Sequence, residues 1–290
     1  MQKLTTTADA NVKRPKLVAP AGACDTHIHL FVPGYPFASD SPYRAKDAPP
    51  EMFFELQDKL GLSTGVIVSP GGYGRDYSML ADVLAKHPKR FRGIALVKDD
   101  VPDAEIARLT KLGVRGMRMM SLKRGSHVPN YDPNIAARVH EHGWHIQFYP
   151  HGTDIVEYAD KLLALKNDVV LDHFASIPAE GGVDQPAMKA VLRMLDTGRV
   201  WLKLSGPMRC TLENVPYPSV TPMARAFVKH APERMVWGSD WPHVNLDGRE
   251  MPDDGDLVDL LLDWVPDEAT RNRILVDNPN KFYGFGAPKE

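Results

Sequence analysis

Ala23-Cys24-Asp25-Thr26-His27-Ile28-His29 is a short apolar run broken at every second position by a group that can do chemistry. A strand turns successive side chains to opposite faces, so Asp25, His27 and His29 share one face. Two imidazoles there can converge on a metal or on a substrate oxygen. Two histidines hydrogen-bonded in a core are the plain alternative, but that account leaves unexplained why His-x-His falls where the strand should end.

Outward from this run, seven more short runs rich in β-branched residues recur at 65–69, 91–96, 114–119, 145–149, 169–172, 200–204 and 235–237. Between them lie helical patterns at 50–60, 77–87, 104–112, 133–142, 185–195 and 222–230, several ending at a glycine such as Gly61, Gly113 or Gly143. Strands alternating with helices imply a parallel sheet buried on both faces. Eight such units in one chain of 290 residues predict a closed (β/α)8 barrel, α/β in class, formed as a single domain over 21–290. Residues 1–20 lack periodicity and read as a flexible arm, and a last helix is expected at 266–276. No Gly-x-Gly-x-x-Gly follows the first strand, which argues against a dinucleotide fold.

A net charge of −2 gives no field that would draw the protein to nucleic acid or to a membrane surface, and no apolar run is long enough to span a bilayer. With only Cys24 and Cys210 and no leader pattern, a cytoplasmic setting is expected. Assembly as a homo-oligomer is compatible with this composition.

In a barrel of this kind, chemistry gathers where strands end. The sixth strand ends Leu171-Asp172-His173-Phe174 and the eighth Trp237-Gly238-Ser239-Asp240-Trp241-Pro242. Asp240, between tryptophans that can keep bulk water away, suits a base for a hydrolytic water; alone it reads equally well as a turn former. His173 alone reads equally well as structural. Basic residues collect at the same rim, namely Arg75, Arg118, Lys123, Arg124 and Arg209, and in a chain of this charge they point to a small anionic ligand. Tyr149 adds a hydroxyl. The 31–47 loop, with Tyr35, Ser41 and Tyr43, is expected to cover the pocket, while Ser69 and the glycines after it let backbone amides approach the ligand. Lys203, His127 and His243 are lesser candidates; His87, His140, His142, His145 and His230 read as structural.

Taken together, His27-Ile28-His29, His173 and Asp240 on strands one, six and eight resemble the amidohydrolase superfamily, over most of the chain from Ala23 to Tyr283. More narrowly, Asp25 to Phe31, Leu171 to Phe174 and Trp237 to His243 look like its lactone-acting branch of pyrone-dicarboxylate lactonases, sulfomuconolactonases and galactarolactone isomerases. That resemblance implies a lactonase in which Asp240 activates water, His27, His29 and His173 polarise the carbonyl, and Arg118, Arg124, Arg209 and Tyr149 bind substrate carboxylates. It also admits isomerisation of an aldarolactone on the same site. A ligand-binding barrel without catalysis is the reading from another class.

The superfamily usually adds a metal-binding histidine on strand five or a bridging residue on strand four. Here strand five ends in Tyr149, with His151 beyond it, and strand four ends Met117-Arg118-Met119-Met120. The expectation is a site with no cofactor; its alternative is one divalent metal, zinc, on His27, His29 and Asp240.

Overall fold

The computed structural model describes residues 3–4, 12–41, 43–121, 129–246 and 248–286. Eight parallel strands follow one another around the sheet in chain order: β1 Cys24–Ile28, β2 Thr64–Val68, β3 Phe91–Ala95, β4 Val114–Met120, β5 His145–Tyr149, β6 Val169–Leu171, β7 Val200–Ser205 and β8 Met235–Gly238. Each is followed by a helix: α1 Pro50–Leu60, α2 Ser78–Lys86, α3 Asp103–Leu112, α4 Pro133–His140, α5 Ile155–Leu163, α6 Pro186–Leu195, α7 Thr221–His230 and α8 Asp254–Trp264. The expected (β/α)8 barrel is therefore the fold.

Local chemistry sets the boundaries. Proline opens α1, α4 and α6, where its missing N–H is no loss, and Gly61 and Gly113 close α1 and α3 in the left-handed conformation. Two helices, α5 and α8, join the six stretches named from the sequence. α5 buries only Ile155, Ala159 and Leu162 among charged neighbours. α8 opens on Asp253-Asp254-Gly255-Asp256, which reads as a turn but is a capped start, since the Asp253 carboxylate accepts from the Gly255 and Asp256 amides.

The cylinder closes between β1 and β8 at their C-terminal ends. Thr26 Oγ1 donates to the Trp237 carbonyl at 2.8 Å, Asp240 N to the His27 carbonyl at 2.9 Å, and His29 N to the Trp241 carbonyl at 2.8 Å. Gly238 permits this approach, because a Cβ there would lie 2.7 Å from the His27 nitrogen. Asp25 ties the seam as well, accepting through Oδ1 from the His27 and Ser239 amides.

At the opposite end the floor is apolar. α9, Asn278–Tyr283, brings Phe282 and Tyr283 against Cys24, Val66, Val68 and Ile94 on one side and Val170, Trp201 and Val236 on the other. In the stretch expected as an arm, Lys13 pairs with Asp256 at 2.6 Å and the Leu17 amide donates to Asp259, which ties this part of the chain to α8. Among the described residues no helix is long and apolar enough to cross a membrane.

Candidate active site

Asp240 follows β8 in a left-handed conformation, φ 68°, and is almost fully buried. Three imidazoles surround its Oδ1: His27 Nε2 at 3.7 Å, His29 Nε2 at 3.6 Å and His173 Nε2 at 3.7 Å. Arg209 holds Oδ2 through Nη2 at 2.9 Å and Nε at 3.2 Å. Burial alone would raise the Asp240 pKa, but His173 and Arg209 outweigh it and keep the carboxyl well below its usual range.

His173 sits there because β6 stops early. His173, Phe174, Ala175 and Ser176 all have φ between 50° and 54°, a left-handed turn that non-glycine residues avoid. Its surroundings hold it: His173 Nδ1 meets Ser205 Oγ at 3.0 Å, and a Cβ on Gly206 would lie 2.6 Å from that nitrogen. Strain of this kind concentrates at functional sites. Burial pushes the His173 pKa down to about 4, against the pull of Asp240, so the ring is neutral near pH 7.

Beneath the imidazoles lies a buried charged layer. Lys203 Nζ donates to Gln147 Oε1 at 2.8 Å and lies 3.4 Å from Asp172 Oδ1 and 3.3 Å from His27 Nδ1. Asp172 Oδ2 accepts from Arg118 Nε at 2.9 Å and from Gln147 Nε2 at 3.1 Å. Burial would raise the Asp172 pKa, yet Lys203 and Arg118 hold it well below the carboxylate range. Burial brings Lys203 down to about 8, and burial with the Lys203 charge holds His27 neutral.

His27, His29, His173 and Asp240 thus meet in one cluster. Arg118 and Tyr149 adjoin it, with the guanidinium 4.9 Å over the Tyr149 ring and that ring 5.2 Å from His173. A cavity of about 380 Å3 opens beside them, lined by Tyr149, His151, Arg209, Asn245 and Arg249 among others. Tyr43 is buried, accepts from the Gly72 amide at 3.1 Å, and is pushed up to about 12 by burial. Ser69 follows the Val68 carbonyl that holds His29 Nδ1 at 2.7 Å, and its buried Oγ has no partner among the described residues.

The other residues expected at the site stand apart from the cluster, hold partners within it, or lie outside the described residues. Arg75 is drawn to Asp99 at 2.6 Å and lines, with Lys98 and Arg108, another cavity of about 700 Å3 that none of the histidines lines. Arg209, expected on a substrate carboxylate, is engaged by Asp240 and by the Val244 and Asn245 carbonyls. Arg124 and His127 lie outside the described residues. The even alternation predicted for the first strand is also broken: its register shifts between Asp25 and Ile28, and Asp25 turns to backbone amides. Burial raises the Asp25 pKa to about 7.

Lys203 was underweighted and Asp172 given no role. Both were legible as charges within or beside apolar strands. Lys203 and Ser205 alternate with Leu202 and Leu204, which puts two polar groups on one face of β7. His243, the other lesser candidate, is paired with Asp254 at 3.0 Å and buried. Among the described residues two groups have metal-site spacing, with ligand atoms within 4.8 Å: His27, His29 and Asp240, and His27, Asp172 and His173.

Comparison with known proteins shows the family. A family model described as Amidohydrolase matches residues 24–285. A 2-pyrone-4,6-dicarboxylate hydrolase of Comamonas testosteroni is 36% identical over 290 residues, covering 94% of each chain. A 4-sulfomuconolactone hydrolase of Rhizobium radiobacter is 35% identical over 273 residues, covering 91% of each. An apo crystal structure from Agrobacterium tumefaciens superposes with a TM-score of 0.85 at 29% identity, covering 94% of this chain and 99% of that one.

Proposed function

The chain belongs to the amidohydrolase family, and on that premise we propose that it hydrolyses a small lactone bearing carboxylate groups, with Asp240 as the base for water. The carrying observation is the spacing around Asp240 Oδ1. Imidazole nitrogens at 3.6 to 3.7 Å are too far for hydrogen bonds yet buried, so the cluster favours an oxygen placed among them. A lactone carbonyl and an attacking water are two such oxygens.

Asp240 takes a proton as the water oxygen bonds to the carbonyl carbon, and an imidazole N–H stabilises the oxyanion that forms. The ring C–O bond then breaks and the proton passes from Asp240 to the leaving oxygen. Arg249 and Arg209 line the cavity and suit the acid substituents, and Arg118 lies behind its Tyr149 wall. Arg209 is shared: a substrate carboxylate that draws it from Oδ2 makes Asp240 more basic. The two lactone-hydrolysing relatives support the substrate class.

A divalent metal does not fit this cluster, although the spacing allows one. Lys203, Arg118 and Arg209 already bring three cations to two deep carboxylates, Asp172 and Asp240. A dication would leave a large unbalanced charge in a buried site. The reading therefore runs on this chain's own residues.

Turnover of 2-pyrone-4,6-dicarboxylate and of a sulfomuconolactone in isotopically labelled water tests the reaction. Hydrolysis puts one labelled oxygen in the product, and isomerisation puts none. Asp240→Asn should lower kcat by about 10²–10⁴-fold with the fold intact; full activity in that variant would refute the assignment.

A further inference from the structure

His27 and His29 end the same strand and point Nε2 at the same carboxylate oxygen, yet their far nitrogens meet opposite partners. His29 Nδ1 lies 2.7 Å from the Val68 carbonyl, which only accepts, so Nδ1 carries the proton and a neutral ring presents a lone pair at Nε2. His27 Nδ1 instead lies 3.3 Å from the Lys203 ammonium, which only donates. We propose that Lys203 is a positioning residue that fixes His27 in the tautomer protonated at Nε2, so that the two imidazoles play opposite parts: His27 donates and His29 accepts.

Lys203 is fully buried and has three N–H donors, and three acceptors stand around it: Gln147 Oε1 at 2.8 Å, His27 Nδ1 at 3.3 Å and Asp172 Oδ1 at 3.4 Å. A proton on His27 Nδ1 would set two donors head to head. The competing partner is Asp172, whose Oδ1 is 3.3 Å from the same nitrogen. That oxygen also lies 3.4 Å from Lys203 Nζ, so the ammonium answers its charge, and it makes no well-formed hydrogen bond among the described residues. Arg118 and Gln147 both pull on Oδ2, which pins the carboxylate. On the side facing Asp240, His27 Nε2 is buried and unpartnered among the described residues, 3.7 Å from an acceptor. Were Asp172 the partner, Nδ1 would carry the proton and Nε2 would offer a lone pair, the arrangement of a metal ligand. Lys203 reverses it.

The consequence for turnover rests on the function proposed above. His27 Nε2–H becomes the donor for the lactone oxyanion. The attacking water gives one proton to Asp240 Oδ1 and its other hydrogen bond to His29 Nε2.

Ring-nitrogen chemical shifts of the histidine-labelled protein, free of substrate, test the assignment. His27 should show its protonated nitrogen at Nε2 and His29 at Nδ1; a His27 protonated at Nδ1 overturns the proposal with no variant needed. In Lys203→Met, His27 should switch to Nδ1–H, and an unchanged tautomer there removes Lys203 from the account. Against the lactone, the same variant should lose about 10²–10³-fold in kcat, the cost of one preorganised donor, with KM little changed. A fall in KM-linked binding alone would also overturn it. The shifts are read without substrate, so a failed labelled-water experiment beside correct tautomers refutes the lactone and spares the tautomers.

Discussion

At the floor of the barrel Cys24, Val66, Ile94, Val170, Trp201 and Val236 close on Phe282 and Tyr283, while a few residues further along the same strands stand His27, Asp172, Lys203 and Asp240. Both ends are buried, but they are held differently. The floor draws on burial of apolar surface, and Trp201 Nε1 and Tyr283 Oη there have no hydrogen-bond partner among the described residues. The mouth draws on mutual compensation of charges, where Arg118, Lys203 and Arg209 answer Asp172 and Asp240. Strand ends of one direction serve catalysis and those of the other serve stability, and substitutions at the two ends should therefore move different observables.

The largest effect is expected at the floor. Trp201 is almost fully buried, packs with its ring centroid 4.6 Å from that of Phe282 and receives Arg234 at 4.9 Å. Trp201→Ala should lower unfolding stability by about 3–5 kcal/mol through lost burial and a residual cavity. Below its melting temperature the variant should keep its kcat. Denaturant titration alongside kinetics checks this; loss of kcat in the folded variant would break the division between the two ends.

At the mouth, Arg209→Met removes hydrogen bonds to a charged group, worth about 1.5–3 kcal/mol, or about tenfold to a hundredfold in kcat/KM at 1.36 kcal/mol per decade. The sign of its pH effect follows from Asp240. Arg209 is one of the groups that hold this carboxyl below its usual range, so its removal lets the pKa rise. The acid limb of the kcat/KM profile should move to higher pH. A limb that stays put would mean that Arg209 serves substrate binding alone.

The contrast also explains what was legible in the sequence. Alternating apolar runs and glycine stops gave eight strands and six of the eight helices, because each strand is buried on both faces and each helix needs one apolar stripe. α5 and α8 are followed by Ala164 and Val265 and so carry no glycine stop to mark them. His27, His29, His173 and Asp240 stood out because chemistry-bearing residues at strand ends are read locally. For Arg209 the sequence shows a charge at a rim but not the carboxylate, from another strand end, that it also holds. Lys203 was set low for a related reason: its importance depends on His27, Gln147 and Asp172 arriving from three other strands. The shift in register in β1 depends on closure against β8, which no single strand reveals.

The smallest expected effect is the sharpest test of the floor. Tyr283 is fully buried, and its hydroxyl has no hydrogen-bond partner among the described residues. Burial also drives its pKa far above the usual phenol value, so the group is an uncharged hydroxyl at any working pH. An unpaired buried polar group costs about 1–3 kcal/mol, whereas a phenyl ring of the same shape keeps the contacts with Cys24, Val66 and Ile94. Tyr283→Phe should therefore raise stability by about 1 kcal/mol, or about 2–4 °C in Tm for a domain of this size, and leave kcat and its pH profile unchanged. A loss of stability would show that the hydroxyl is satisfied, and that the floor, like the mouth, relies on polar pairing.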